Sequence, residues 1–83
     1  MHTFIAEVIA IHFNATAEAM LRHNQSDYIG LFKVDGKHFT CVTKGYPVPS
    51  NGFTRVGEVM HRGEMFDVYR AHPKAYYRFR STR

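Results

Sequence analysis

A single cysteine among 83 residues has no partner within the chain. No internal disulfide can staple this fold, and a reducing cytosol suits it. No apolar run approaches the ~18 residues of a membrane-crossing helix. The chain starts without a basic segment ahead of its apolar stretch and without a clear small-residue cleavage site. A secretory signal is therefore not expected, and the expected location is cytoplasmic. The sequon Asn14-Ala15-Thr16 would matter only in a secreted chain. Six glycines occur singly, at Gly30, Gly36, Gly45, Gly52, Gly57 and Gly63, so no phosphate-cradling loop is present.

Ligand spacing for a metal is missing as well. His12, His23, His61 and His72 fall in no H-x-x-x-H or C-x-x-C pattern. His38-x-x-Cys41 has a suitable count, but residues three apart in a strand point to opposite faces. Cys41 sits mid-strand beside phenylalanines, where a small buried hydrophobe belongs and a reactive thiol does not. Glu58, Glu64 and Asp67 have arginines nearby in sequence and read as surface pairs. No metal, no cofactor and no enzymatic activity are expected.

What is present is a globular composition: 45% apolar, with seven Phe and five Tyr. That excludes a disordered chain and leaves room for one domain over residues 1–83 with a single core. A chain this short buries only about 60–65% of its unfolded surface. The net charge of +4 is uneven. Residues 1–43 hold three basic and four acidic side chains, and residues 44–83 hold eight and three. The basic half points to an anionic partner, either nucleic acid or an acidic protein surface.

Residues 3–23 fit two readings. As one helix, Ile5, Val8, Ile9, His12, Phe13, Ala17, Met20 and Leu21 form a stripe, with Glu7, Asn14, Glu18 and Arg22 opposite. As strand then helix, Thr3–Phe13 is rich in Ile, Val and Phe, and Thr16 or Asn14 caps a short helix over residues 17–23. The β-branched residues before Asn14 and the alanines after Thr16 favour the second reading.

Asp35-Gly36, between Tyr28–Val34 and Lys37–Thr43, is a strong two-residue hairpin signal. Opposed residues then sum to 71: Phe32 faces Phe39, Lys33 faces His38 and Gly30 faces Cys41. Phe32, Phe39 and Cys41 share the core side. Residues 45–52 form an extended loop stiffened by two prolines, and Phe53–Met60 reads as a strand. Arg62-Gly63 is a turn into a strand over Glu64–Arg70, with Phe66 and Val68 on one side and Met65, Asp67 and Tyr69 on the other. The predicted class is α+β: an antiparallel sheet of about five to six strands with one short helix, residues about 16–23, packed on it.

The last segment carries the functional lead. Read as a strand after His72-Pro73, it puts Ala75, Tyr77 and Phe79 on one face and Lys74, Tyr76, Arg78 and Arg80 on the other. Arg70 and Arg83 extend the basic side at either end. Cations that neutralise phosphates around a tyrosine that stacks on bases suit a nucleic-acid contact. The expectation is a small basic binding module for nucleic acid, or a nucleic-acid-bound complex, using Arg70, Lys74, Tyr76, Arg78, Arg80 and Arg83. The alternative is a protein-interaction module, an inhibitor or regulator docked on an acidic protein. Tyr46 and Phe53 would anchor it from the proline loop, or an unpaired last strand would add to a partner's sheet, including a homodimer. The strand order matches neither a helix-turn-helix nor an RNA-recognition motif. Tyr28-Ile-Gly-Leu-Phe-Lys-Val34 lacks the Lys/Arg-Gly-aromatic run the latter needs.

Overall fold

A computed structural model describes residues 3–23, 28–49 and 51–79. Two helices, α1 (Thr3–His12) and α2 (Ala17–His23), precede four strands: β1 (Phe32–Val34), β2 (Lys37–Thr43), β3 (Phe53–His61) and β4 (Glu64–Ala71). A 3-10 helix, Pro73–Phe79, follows. The class is α+β with an antiparallel sheet, and its four strands among the described residues are fewer than the five or six expected. Two segments read as strands, the first and the last, are helical.

Thr3–His12 is a helix although its residues favour strands, because intrinsic propensities differ by only a few tenths of a kcal/mol. The helix puts Val8 and Ile9 into one cluster with Phe39, Cys41, Val59, Phe66 and Val68, and Ile5 and Phe13 pack against that cluster. Tertiary burial outweighs the local preference. Asn14 does not continue the helix but ends it, in the left-handed conformation (φ 55°). The Ala15 N–H donates to the Ala10 carbonyl at 2.8 Å, and the Asn14 N–H to the Ile11 carbonyl at 3.1 Å. Those two bonds close the helix end. Thr16 then caps α2, its Oγ1 accepting from the Ala19 N–H at 3.1 Å.

The β1–β2 hairpin has the expected register, Phe32 opposite Phe39 and Lys33 opposite His38, with Asp35 (φ 51°) and Gly36 (φ 78°) in the turn. The pairing stops at Phe32. Gly30 lies before β1, so the expected pair of Gly30 with Cys41 is not formed. The chain instead bends at Gly30, where the Ile29 N–H donates to the Phe79 carbonyl at 3.0 Å.

Strand order is β1-β2-β4-β3, so β1 and β3 are the edges. β2 and β3 both run antiparallel to β4 and hence parallel to each other. The proline loop must therefore return along the sheet, which is why it is extended. β3 and β4 meet at the expected Arg62-Gly63 turn, and a bulge between Arg55 and Gly57 leaves Val56 unpaired. One sheet face, carrying Phe39, Cys41, Phe66 and Val68, is covered by the helices. The opposite face, carrying His38, Thr40, Asp67 and Tyr69, is covered at one end by the 3-10 helix.

Candidate functional site

The C-terminal segment is a 3-10 helix and not a strand, for three local reasons. Pro73 has no N–H for a ladder and suits the first helical position. The Ala75 N–H donates to the His72 carbonyl at 2.8 Å, an i to i+3 bond. The His72 N–H donates to the Gly52 carbonyl at 2.8 Å, which pins the start of the helix to the end of the proline loop. Alternation by two is replaced by a turn of three, and the faces are re-sorted. Ala75 is buried, and Tyr76 and Phe79 are half-buried. Lys74, Tyr77 and Arg78 face outward.

Tyr76 is turned toward the sheet and half-buried, where a strand would have placed it outward. Its hydroxyl is hydrogen-bonded to His38 Nδ1 at 2.8 Å, and its ring centroid is 4.5 Å from that imidazole and 4.8 Å from Tyr28. Phe79 packs on Phe53, whose ring also meets Tyr69 edge-on. These contacts build a second, smaller core that clamps the 3-10 helix to the sheet. Phe53 therefore serves this core, and Tyr46 is the exposed member of the two loop residues.

Tyr77 is 61% exposed, and the Arg78 guanidinium lies 5.0 Å from its ring centroid. The pair is a cation held over an open aromatic ring, and Lys74 stands one 3-10 turn before Tyr77. Arg70 does not join them. It opposes Phe39 and Thr54 in the sheet, on the helix-covered side with Phe66 and Val68. Its Nε is buried without a hydrogen-bond partner among the described residues. Arg80 and Arg83 lie outside the described residues. The last segment is not the edge strand through which strand addition was expected, and among the described residues the sheet edges are β1 and β3.

Two further clusters are present, the first of which includes the expected pairing of Glu58 and Asp67 with an arginine. On the open part of the sheet, Arg55 Nε donates to Asp67 Oδ1 at 2.9 Å and its NH2 lies 3.3 Å from Glu58 Oε2, which also pairs with Lys44. The hydrogen bond to Asp67 and its charge raise the Arg55 guanidinium above its ordinary value. At the other side of the molecule, His61 Nε2 donates to Glu7 Oε1 at 2.8 Å, and Arg62 lies 3.5 Å from the same oxygen. Phe4, Phe66 and Glu64 complete the walls of a cavity of about 360 Å³ there. Glu7 and His61 are 54 residues apart, so only the docking of α1 beside β3 brings them together. Among the described residues no group of three His, Cys, Asp or Glu side chains is placed to hold a metal ion.

Cys41 is buried within the main core, and burial pushes its thiol up to about 11 from an ordinary value of 9.0. The thiolate is disfavoured in the folded chain, so Cys41 should resist a thiol reagent at pH 8 and react at once in denaturant. Rapid labelling of the folded protein would place the thiol at the surface. The same shift fixes a sign for stability. The raised folded value means that its contribution is complete below pH 9 and is lost as pH rises toward 11, because only the unfolded thiol ionises in that window.

Among the described residues, no helix is long and apolar enough to cross a membrane. Comparison with protein-family models, with curated proteins and with solved structures finds no match to this chain.

Proposed function

We propose that this protein is a small cytosolic nucleic-acid-binding module whose contact surface is the outward side of the 3-10 helix, Lys74, Tyr77 and Arg78, with Arg80 and Arg83, which follow in sequence, adding positive charge. The observation that carries this reading is the exposed Tyr77 ring with the Arg78 guanidinium above it. An unpaired base stacks on a tyrosine at a cost to truncation of about 1–3 kcal/mol, and neighbouring cations neutralise its phosphates. Single-stranded nucleic acid suits this pairing best, since its bases are free to stack. The second core holds the segment in place, so little ordering entropy is lost on binding.

Fluorescence anisotropy with labelled single- and double-stranded DNA and RNA, at two salt concentrations, tests the reading. Affinity should fall steeply with salt, and Tyr77→Ala should weaken single-strand binding by about 5- to 150-fold. Arg78→Gln should lower the salt slope by about one. Lys74→Ala should act in the same direction. Absence of binding at low salt would remove the nucleic-acid reading and leave an acidic protein surface as the partner for the same residues.

A further inference from the structure

Arg70 stands in β4, the interior strand between β2 and β3, on the face that the helices cover. It is half-buried, and its Nε is buried with no hydrogen-bond partner among the described residues. A buried donor left unpaired loses its hydration and gains nothing in return, and the loss is larger on a charged group. An apolar side chain of the same length would fit the interior of the sheet at no such cost. The fold by itself therefore gives no reason for an arginine at this position.

Its natural partner is a carboxylate, and among the described residues every carboxylate is engaged elsewhere or distant. Glu7 holds His61 and Arg62, Glu18 holds Arg22, and Glu58 holds Lys44 and Arg55. Asp67 pairs with Arg55 on the opposite face of the sheet. Asp35 sits in the β1–β2 turn. Glu64 begins β4, six residues back and about 20 Å away at strand spacing. The positive charge of Arg70 is thus unanswered within the described fold.

Donors and rings surround it instead. In its cross-strand row Arg70 lies between Phe39 of β2 and Thr54 of β3. Directly opposed side chains share a face, with Cβ atoms about 4.5–5.5 Å apart. Thr54 is exposed, and its Oγ1 is 2.9 Å from His72 Nε2. When that nitrogen carries the proton, the imidazole donates to Oγ1 and the hydroxyl proton is left for an acceptor from outside. The His12 ring lies against Gly57, which pairs with Val68, two residues before Arg70.

We infer that this corner binds a tetrahedral oxyanion, a phosphate group, through the Arg70 guanidinium and the Thr54 hydroxyl, with His72 orienting Thr54. A guanidinium edge presents two parallel N–H donors, and a turn about the side-chain torsions brings Nε and a terminal nitrogen onto two oxygens of the anion together. That fork occupies both oxygens of a carboxylate. A phosphate keeps further oxygens, and Thr54 on the neighbouring strand supplies a donor for one of them. The site shares no residue with Lys74, Tyr77 or Arg78, so it stands or falls apart from the nucleic-acid reading.

Thermal melting of the full chain in 0 to about 20 mM sodium phosphate, against sodium chloride of equal ionic strength, tests it. The melting temperature should climb with phosphate and not with chloride. Arg70→Met should melt at or above the parent chain in chloride and lose the response to phosphate. Thr54→Val should stay folded and weaken the apparent affinity by about 10-fold or more, the loss of a hydrogen bond to a charged group. Arg78→Gln should leave the response as it is. A nucleoside monophosphate run beside inorganic phosphate separates the two sources, and the tighter of them identifies whether the anion is free or carried on a larger ligand. No response in the parent chain would overturn the inference, as would a response that survives Arg70→Met or vanishes in Arg78→Gln. So would an Arg70→Met chain that melts well below the parent, since Arg70 would then have its partner inside the fold.

Discussion

Phe39→Ala is expected to lower the stability of the fold by about 3–5 kcal/mol, the cost of emptying a large aromatic site in a close-packed core. Phe39 is buried in β2, an interior strand, and belongs to the cluster that holds α1 on the sheet. Its ring meets Phe13 edge-on at 5.0 Å, just beyond the end of α1. Truncation therefore removes contacts from both layers at once. A domain of this size has about 5–15 kcal/mol in all, so the variant should be only marginally folded. Urea denaturation would show it as a large drop in midpoint at similar slope, and the melting temperature should fall by at least about 12 °C. A near-neutral result would mean that Phe39 does not face the helices.

Gly52→Ala should be comparably costly, at about 2–6 kcal/mol, by a different mechanism. Gly52 has φ +93°, a conformation that strains any side-chain-bearing residue by about 1–3 kcal/mol. A Cβ there would also be 2.8 Å from the Ala75 Cβ and 3.5 Å from its Cα. Lys74, whose Cγ is at 3.3 Å, can swing away, but Ala75 is fixed in the 3-10 helix. Overpacking of this kind adds about 1–3 kcal/mol. Gly36→Ala separates the two effects, since Gly36 has φ +78° with open space around it and should show the strain alone. If the two variants melt together, the close approach of the loop to the helix contributes nothing. If Gly52→Ala is the worse, it should also disturb the Tyr76–His38 contact, visible in the near-ultraviolet circular dichroism.

The hairpin at Asp35-Gly36, the turn at Arg62-Gly63 and the facing of Phe66 and Val68 were legible because each depends on local chemistry. A turn with positive φ selects its residues, and alternation by two assigns the faces of the strands that follow. The first and last segments were misread because both patterns were locally ambiguous. Ile5, Val8 and Ile9 suit a helix stripe as well as a strand. At the C-terminus, Lys74 to Arg80 alternates well as a strand, yet Pro73 and the close seat of Ala75 against Gly52 favour a helical turn. That misreading exchanged Tyr76 for Tyr77 as the exposed ring and put Arg70 on a face it does not share. Glu7 beside His61 left no trace in the sequence, because contacts between distant residues depend on how the elements dock.

The amino-acid sequence by itself determined the class of the protein, its two tight turns, the burial of its one thiol and the concentration of positive charge in its second half. All of these follow from residue chemistry or from spacing within a few positions. The tertiary structure decided which β-rich segment became a helix, which strand became an edge and which aromatic side chains reached the surface. Those outcomes depend on burial, whose gain for a segment is set by the partner it packs against and exceeds the small differences in local propensity.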